Sequence, residues 1–330
     1  MFKNKVVLIS GGTGSWGQEL TKQLLEKQPN KIIVFSRGEI SQVAMQRKFN
    51  DKRIEFAIGD VRDMDAVDAV MSKGVDYVFH LAALKHVPIC ENQPDEAIKT
   101  NIQGTQNVIR AAIKYKVKKF IDVSTDKAVD PINTYGMTKG IGERLVIQAN
   151  CQTKDTDFLC VRGGNVLGTN GSLVPFLIDQ IKTHNKVLIT DSGMTRYFLT
   201  LEKAIHLLFF AVEHGRGGET YVMNMPSFHI TDLVDILIEH YGNEQTIKQV
   251  IGKREGEKIH EVLISAHEIS RTQCVNENYH VIYPQLNLNG VAFWDMELTN
   301  PIFSSFTSKE ALQDKSVLHQ LLKEGGFLND

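Results

Sequence analysis

The chain is short of the residues that staple or anchor a protein. Its 330 residues include four cysteines, Cys90, Cys151, Cys160 and Cys274. None of them forms a CxxC pair, so the spacing gives neither a zinc site nor a disulfide framework. A reducing, cytoplasmic setting is the expected home. The eleven histidines lack metal-ligand spacing, and no metal is expected. Long apolar runs are missing too. The longest, LLFFAV at 207–212, is far shorter than the ~20 residues a membrane span needs. The start, MFKNKVVLISGGTG, has only a brief apolar run before its glycines and reads as a first strand rather than a secretion signal. A formal net charge of −2 gives no pull towards nucleic acid or an anionic membrane. There is no internal repeat or low-complexity tract. What remains is ordinary globular composition, 42% hydrophobic and 23% charged, with enough length for a substantial core.

Two textures alternate in the first half. Short β-branched runs stand at VVLIS (6–10), KIIVFS (31–36), IEFAIGD (54–60), YVFHLAA (77–83), KFIDVST (119–125) and FLCVRGG (158–164). Stretches with helical spacing lie between them, at 16–27, 64–72, 95–114 and 134–149. This rhythm predicts an α/β fold, a Rossmann-type doubly wound parallel sheet covered on both faces. After residue 165 the rhythm changes. Helices are expected at 175–183 and 201–213, a further strand of the main sheet at 219–225, and a capping box, TSKE at 307–310, opening a last helix. The expected organisation is a nucleotide-binding unit of residues 1–165 plus 205–226. A smaller α/β substrate-binding unit takes 166–204 plus 227–330.

SGGTGSWG (10–17) follows the first strand and opens a helix. Gly11, Gly14 and Gly17 let the backbone approach a pyrophosphate, and the helix N-terminus favours its charge. Thr13, Ser15 and Trp16 complete this loop. NAD-binding folds place an acid at the end of the second strand for the ribose hydroxyls. Here the strand ends in Ser36-Arg37, and a guanidinium suits a 2′-phosphate, so NADP is favoured. Asp60 and Val61, after the third strand, are placed to meet the adenine. Ala82, in HLAAL (80–84), lies beside the middle of the cofactor. His80 reads as a satisfied core histidine.

STDKAVDPINTYGMTK (124–139) holds two pairs. Tyr135 and Lys139 sit four apart on one helix face, so the ammonium lies near the phenol and lowers its pKa. A phenolate can take a hydroxyl proton while hydride leaves for the cofactor. Asp126 and Lys127 stand at the C-terminal end of the fifth strand, where open parallel sheets bind ligands. Oxidation alone makes no demand for this second pair. As a base Lys127 needs a lowered pKa, and as an acid Asp126 needs a raised one. The pair titrates as a unit, and the sequence leaves its proton positions open.

Together, SGGTGSWG, GDVRD (59–63), HLAAL and YGMTK resemble the extended short-chain dehydrogenase/reductase family. Within it, the chain is similar to UDP-N-acetylglucosamine 4,6-dehydratases, in particular the soluble inverting enzymes of pseudaminic acid synthesis. The matching segments are FSRGE (35–39), AALKHVPICE (82–91), KTNIQGTQNV (99–108), STDKAVDPINTYGMTK, RGGNVLGTNGSLVPF (162–176), ITDSGMTRYFLTLE (189–202) and GKREGEKIHE (252–261). They span most of the chain.

The resemblance implies a hydro-lyase with tightly bound NADP, regenerated at each turnover. Oxidation at carbon 4 of the sugar acidifies carbon 5, water leaves from carbons 5 and 6, and hydride returns to carbon 6. It gives Asp126 the protonation of the carbon-6 hydroxyl and Lys127 the work at carbon 5, with Thr125 bonding a sugar hydroxyl. Lys85 and Asn165 would contact cofactor or sugar diphosphate. Arg196, Arg254 and Glu257 would hold the diphosphate and ribose. Retaining relatives often carry Met in place of Tyr135, so inversion is favoured. A retaining or 5,6-ene-forming dehydratase would use nearly the same residues, and a nucleotide-sugar 4-epimerase would need only Tyr135 and Lys139. The family also implies a homo-oligomer paired through the helices at 95–114 and 134–149. Three departures stand out: Gly38 where an acid is familiar, Gly163 where Tyr is familiar, and Glu255 where Pro is usual.

Overall fold

The computed structural model describes residues 1–169, 171–286 and 299–328. Six β-branched runs form strands β1 (Val6–Ser10), β2 (Lys31–Ser36), β3 (Ile54–Ile58), β4 (Tyr77–His80), β5 (Lys119–Thr125) and β6 (Asp157–Gly163). They run parallel in the order β3-β2-β1-β4-β5-β6. Between them lie α1 (Ser15–Glu26), α2 (Glu39–Phe49), α3 (Met64–Met71), α4 (Val87–Asn92), α5 (Pro94–Ile98), α6 (Thr105–Lys114) and α7 (Thr134–Ala149).

Alternation along the strands builds two cores, one on each face of the sheet. Val7, Ile9, Ile32 and Val34 pack with Leu20 and Leu24 of α1. Leu8, Ile33 and Phe35 point the other way, to Val67 of α3, Val108 of α6 and Val146 of α7. The chain winds outwards on both sides of β1, so a crevice opens beyond the carboxyl ends of β1 and β4.

The expected helix at 95–114 is not continuous. Residues Lys99–Gly104 form a π-helical turn between α5 and α6. The turn carries Asn101, whose amide is fully engaged. Its Nδ2 donates to Leu84 O at 2.9 Å and to Thr138 Oγ1 at 3.0 Å, and its Oδ1 accepts from Leu84 N–H at 2.8 Å.

Downstream strands are β7 (Asn165–Val166), β8 (Lys186–Ile189), β9 (Thr195–Leu199), β10 (Thr220–Met223), β11 (Ser227–His229), β12 (Ile247–Val250), β13 (Val262–Ile264), β14 (Thr272–Asn276), β15 (Tyr279–Ile282) and β16 (Phe306–Thr307). The helices there are α8 (Leu173–His184), α9 (Leu201–His214), α10 (Ile230–Tyr241) and α11 (Lys315–Glu324). A third core joins α8, α10 and α11 around Leu177, Leu233 and Leu321.

Two expectations need correction. β10 joins the main sheet beside β6, but so do β15 and β14, as an antiparallel edge. Residues 272–282 therefore extend the sheet that the sequence reading closed at 226, because Val281 and Ile282 complete the core under α9. Residues 287–298, also expected in the second unit, lie outside the described residues. The capping box at 307–310 forms, with Thr307 Oγ1 and Glu310 Oε2 at 3.0 Å and Glu310 N–H donating to Thr307 Oγ1. It closes a turn, and the last helix starts later, behind Asp314.

A buried charge cluster fastens the C-terminal part to α7. Arg162 of β6 is held by Glu143 of α7 at 2.7 Å and by Glu268 at 2.8 Å. It also donates to Leu263 O at 3.0 Å.

Candidate active site

A cleft of ≈ 740 Å³ opens at the carboxyl ends of the parallel strands. Gly11, Thr13, Gly14, Ser15, Trp16 and Gly17 line it, with Arg37, Asp60, Val61, Ala82 and Lys85. Thr125, Lys127, Tyr135 and Asn165 line the same cleft. The turn from β1 into α1 and the end of β5 thus face one space.

The loop is shaped for close backbone approach. Gly11 has φ +68, and a Cβ there would stand 2.8 Å from the Ala82 backbone. A Cβ on Gly17 would meet Gly12 O at 2.2 Å, so glycine lets α1 start directly against the strand end. Gly14 caps α1 without a side-chain hydrogen bond. This cradle at a helix N-terminus fits the pyrophosphate of a dinucleotide.

Arg37 Nη1 is 3.8 Å from Asp60 Oδ2. Asp60 also takes Arg62 Nε at 2.8 Å. Burial would raise the Asp60 pKa, but Arg62 and Arg37 outweigh it and hold the carboxyl below its ordinary value. Burial pushes the Lys85 ammonium down. Trp16 lies against Gly163, whose Cβ would meet the indole at 3.5 Å. The indole occupies the side of the cleft into which a Tyr at 163 would project.

His80 is a core residue, between Ser10 Oγ at 2.7 Å and Thr105 Oγ1 at 3.0 Å. Burial, helped by Lys139, pushes its pKa down to about 3, so it stays neutral.

The two pairs of 124–139 meet at the cleft wall. Asn133 caps α7, its Oδ1 accepting from Gly136 N–H at 2.8 Å. That start places Tyr135 in the cleft and Lys139 one turn on, buried. Lys139 Nζ bonds both oxygens of Asp122 on β5, each at 3.1 Å. Burial would lower the Lys139 pKa, and Asp122 with Tyr135 more than offsets it. Lys139 does not line the cleft itself. The net effect on Tyr135 differs from the expectation. Burial raises the phenol, while Lys139, Lys127 and the Thr125 hydroxyl push it down without cancelling the rise.

Asp126 is buried in a short turn after β5. Its Oδ1 accepts from Thr125 Oγ1 at 2.9 Å and from Lys127 Nζ at 3.0 Å, and its Oδ2 has no hydrogen-bond partner. The sequence leaves the direction of the Lys127 shift open, and the structure gives it. Burial pulls it down, but Asp126 and then Glu261 raise it above the ordinary lysine value. Lys127 is therefore held as an ammonium.

Three expected substrate residues are not brought to the cleft. Arg196 is buried, and its guanidinium donates to the carbonyls of Thr195 at 2.7 Å, Lys258 at 2.9 Å and Ile259 at 3.2 Å. A buried guanidinium needs its donors met, and these carbonyls take three of its five N–H groups, with Glu261 Oε1 3.7 Å from Nε. Arg254 and Glu257 lie on a turn, where Glu257 Oε2 accepts from the Arg254 N–H at 3.3 Å. That carboxylate closes its own turn rather than facing the cleft. The turn rests on the start of α7, because Asn133 Nδ2 donates to Gly256 O at 2.9 Å.

The sequence reading passed over three residues. Asp122 was visible as an acid inside an apolar strand, and Asn101 as a polar residue in a helical stretch. Glu261 ended a matching segment with nothing local to mark it as buried.

A family model described as "Polysaccharide biosynthesis protein" matches residues 7–283. The chain is 45% identical to the UDP-N-acetylglucosamine 4,6-dehydratase (inverting) of Campylobacter jejuni, over 87% of this chain and 85% of that protein. It is 41% identical to a UDP-glucose 4-epimerase of Rickettsia bellii, over 88% of this chain and 86% of that one. The X-ray structure of Pen from Bacillus thuringiensis covers 99% of this chain and 100% of its own, at 38% identity and a TM-score of 0.93. Among the described residues no helix is long and apolar enough to cross a membrane.

Proposed function

The chain belongs to the polysaccharide biosynthesis protein family, and from that premise we propose that it is a UDP-N-acetylglucosamine 4,6-dehydratase, inverting at carbon 5. One observation carries the reading: Thr125, Lys127 and Tyr135 line the same cleft as the glycine loop, with Asp126 bonded to Lys127 behind them. The dehydratase of C. jejuni supports the choice of substrate.

A nicotinamide cofactor supplies the acceptance of hydride from carbon 4 and its return to carbon 6. Gly11, Gly14 and Gly17 would hold its pyrophosphate, and Asp60 and Val61 its adenosine. Arg37 favours the 2′-phosphate of NADP. A mass spectrum of cofactor released from the purified protein distinguishes NADP from NAD.

The chain's own residues move the protons. Tyr135 takes the proton of the carbon-4 hydroxyl, and Lys139, fixed by Asp122, keeps a positive charge beneath the phenol. Lys127 and Asp126 then exchange one proton along their 3.0 Å hydrogen bond. With the proton on Asp126, Lys127 is an amine that takes the carbon-5 proton, and Asp126 is an acid that protonates the carbon-6 hydroxyl. After both transfers Lys127 is again an ammonium and Asp126 a carboxylate. The ion pair of the structure is thus the state to which each elimination returns.

Exposed Ile89, Ile98, Met137 and Ile141 on α4, α5 and α7 support a homo-oligomer paired through these helices. Light scattering on the purified protein tests it, and a monomer would remove this part.

Proton NMR of the enzyme with UDP-N-acetylglucosamine in deuterated buffer tests the whole reading. The expected product is the L-arabino 4-keto-6-deoxy sugar with deuterium at carbon 5. A D-xylo product would reject inversion, and vinylic protons would mean release of the 5,6-ene. An unchanged sugar, with cofactor verified, would refute the reading. The epimerase likeness supports a second reading, a nucleotide-sugar 4-epimerase. Lys127→Ala separates them, because an epimerase survives it.

A further inference from the structure

One buried acid beside the proton-moving pair has no part in the steps above. Glu261 stands just before β13, in the substrate-side half of the chain. Its backbone N–H donates to Ser308 Oγ and its carbonyl accepts from Ser308 N–H, each at 2.8 Å. Its Oε1 lies 3.5 Å from Lys127 Nζ and 3.7 Å from Arg196 Nε. Its Oε2 is buried with no hydrogen-bond partner. Lys127 already has Asp126 at 3.0 Å. Glu261 is shared at 3.5 and 3.7 Å between Lys127 and Arg196 with its second oxygen unmet, and burying a carboxylate held so loosely costs several kcal/mol of lost hydration. The arrangement therefore asks for a reason beyond stability.

We propose that Glu261 is a positioning residue for Lys127, fixing Nζ where it meets the carbon-5 proton of the keto-sugar. This inference rests on the dehydratase reading. In that step the C5–H bond breaks and its proton forms a new N–H bond on Lys127. The C–H electron pair enters the enolate of the 4-ketone, for which a bound nicotinamide cofactor would be the oxidant. The enolate expels the carbon-6 oxygen, which leaves as water with the proton of Asp126. Positive charge develops only at Nζ. Asp126 gives up its proton in the same step, whereas Glu261 takes part in no proton transfer. Glu261 relates to Lys127 as the aspartate of a catalytic triad relates to its histidine. Arg196, with its guanidinium bound to three carbonyls, holds the carboxylate from behind.

Other charged and titratable groups face this centre. Tyr135 comes from α7 with Lys139 behind it, Arg196 and Tyr197 from β9, and Lys258 from the segment before β13. Glu310 acts on Tyr197 from the turn after β16. Glu261→Gln leaves all of them in place and removes one charge of near-identical shape.

The test compares the wild type and Glu261→Gln on UDP-N-acetylglucosamine across pH 6–10. Product formation and the absorbance of reduced cofactor are followed together. The variant is expected to lose about 10-fold or more in kcat with KM within about twofold. Reduced cofactor should accumulate, because oxidation proceeds while elimination lags. An alkaline fall in kcat is expected where the pair loses its one shared proton, and in the variant it should lie about 1–3 pH units lower, the effect of losing a charge at this range. Glu261→Asp draws the charge back by one methylene and should fall between the two, and it carries the test alone if the Gln variant does not fold. Wild-type kcat and pH profile in the variant would overturn the inference. A slower variant with an unmoved profile and no reduced cofactor would assign a merely structural role and overturn it too. A wild type that makes no 4-keto-6-deoxy product would bring down the dehydratase reading and this inference together.

Discussion

Asp122→Asn isolates the buried pair beneath Tyr135. Lys139 and Asp122 have side chains 3% and 0% exposed, and Lys139 Nζ sits 3.1 Å from each carboxylate oxygen. Removing one partner of such a pair costs about 3–5 kcal/mol, because the other charge stays buried. At about 1.4 kcal/mol per pKa unit, the same energy equals a fall of about 2–4 units at Lys139. Neutralising the amine is the variant's escape from the full cost. The sign follows from linkage. In the wild type burial is outweighed by Asp122, its main opponent, together with Tyr135, and the folded Lys139 pKa lies above the unfolded one. That contribution is complete below the unfolded lysine value of about 10.4 and is lost only as pH rises through the folded value. In the variant burial loses its main opponent, and the folded pKa drops below the unfolded one. The unfolded chain then binds more protons between the two values, so stability climbs with pH across that window. Urea midpoints at pH 7, 8.5 and 10 check this. The wild-type contribution should stay flat and the variant should recover towards it. Equal stability at pH 7 within about 0.5 kcal/mol, or a variant that weakens as pH rises, would refute the reasoning. Adding Lys139→Met to Asp122→Asn should restore most of the loss, because an apolar replacement of both partners is nearly neutral.

Tyr135→Phe keeps the ring and removes the proton acceptor, so turnover of UDP-N-acetylglucosamine should fall by about 10²-fold or more with the fold intact by circular dichroism. Unchanged turnover would remove Tyr135 from the chemistry. Arg162→Ala leaves Glu143 and Glu268 buried without their shared cation, and a loss of about 3–5 kcal/mol in urea unfolding is expected. A loss below about 1 kcal/mol would show that the cluster relaxes freely. Gly11→Ala forces a Cβ to 2.8 Å from Ala82 at φ +68, so it should weaken dinucleotide affinity and cost about 1–3 kcal/mol of stability. Calorimetric titration with the cofactor reads the first effect, and an unchanged Kd would sink the cradle assignment.

Much of the first half was legible because its signals are local. The runs at 6–10, 31–36, 119–125 and 158–164 became β1, β2, β5 and β6 within a residue, because an apolar β-branched run between helices has only a covered parallel strand to become. The glycine loop was legible through its spacing after a strand. Contacts between distant segments were not. Lys127 is raised by its neighbour Asp126 and also by Glu261, which reaches it from far along the chain, and no pattern around 126–127 announces the second. Arg196 read as a diphosphate ligand because arginine suits phosphate. Only the fold shows three carbonyls already taking its donors. The edge formed by β14 and β15 was missed because short mixed segments carry too few residues for periodicity to separate a strand from a loop.

The π-helical turn at Lys99–Gly104 has a consequence for chain length. Such a turn holds one residue more than regular helix allows, so it behaves as an insertion retained in place. Deleting one residue there would let α5 and α6 merge into a single α-helix and turn α5 by about 100° about the shared axis. The merged helix would have better internal hydrogen bonding. Asn101, however, would swing away from Leu84 and Thr138, and the segment carrying Ala82 and Lys85 would lose its tie to α7. A frame-preserving one-residue deletion could thus improve the local secondary structure and dismantle the cleft wall at the same stroke.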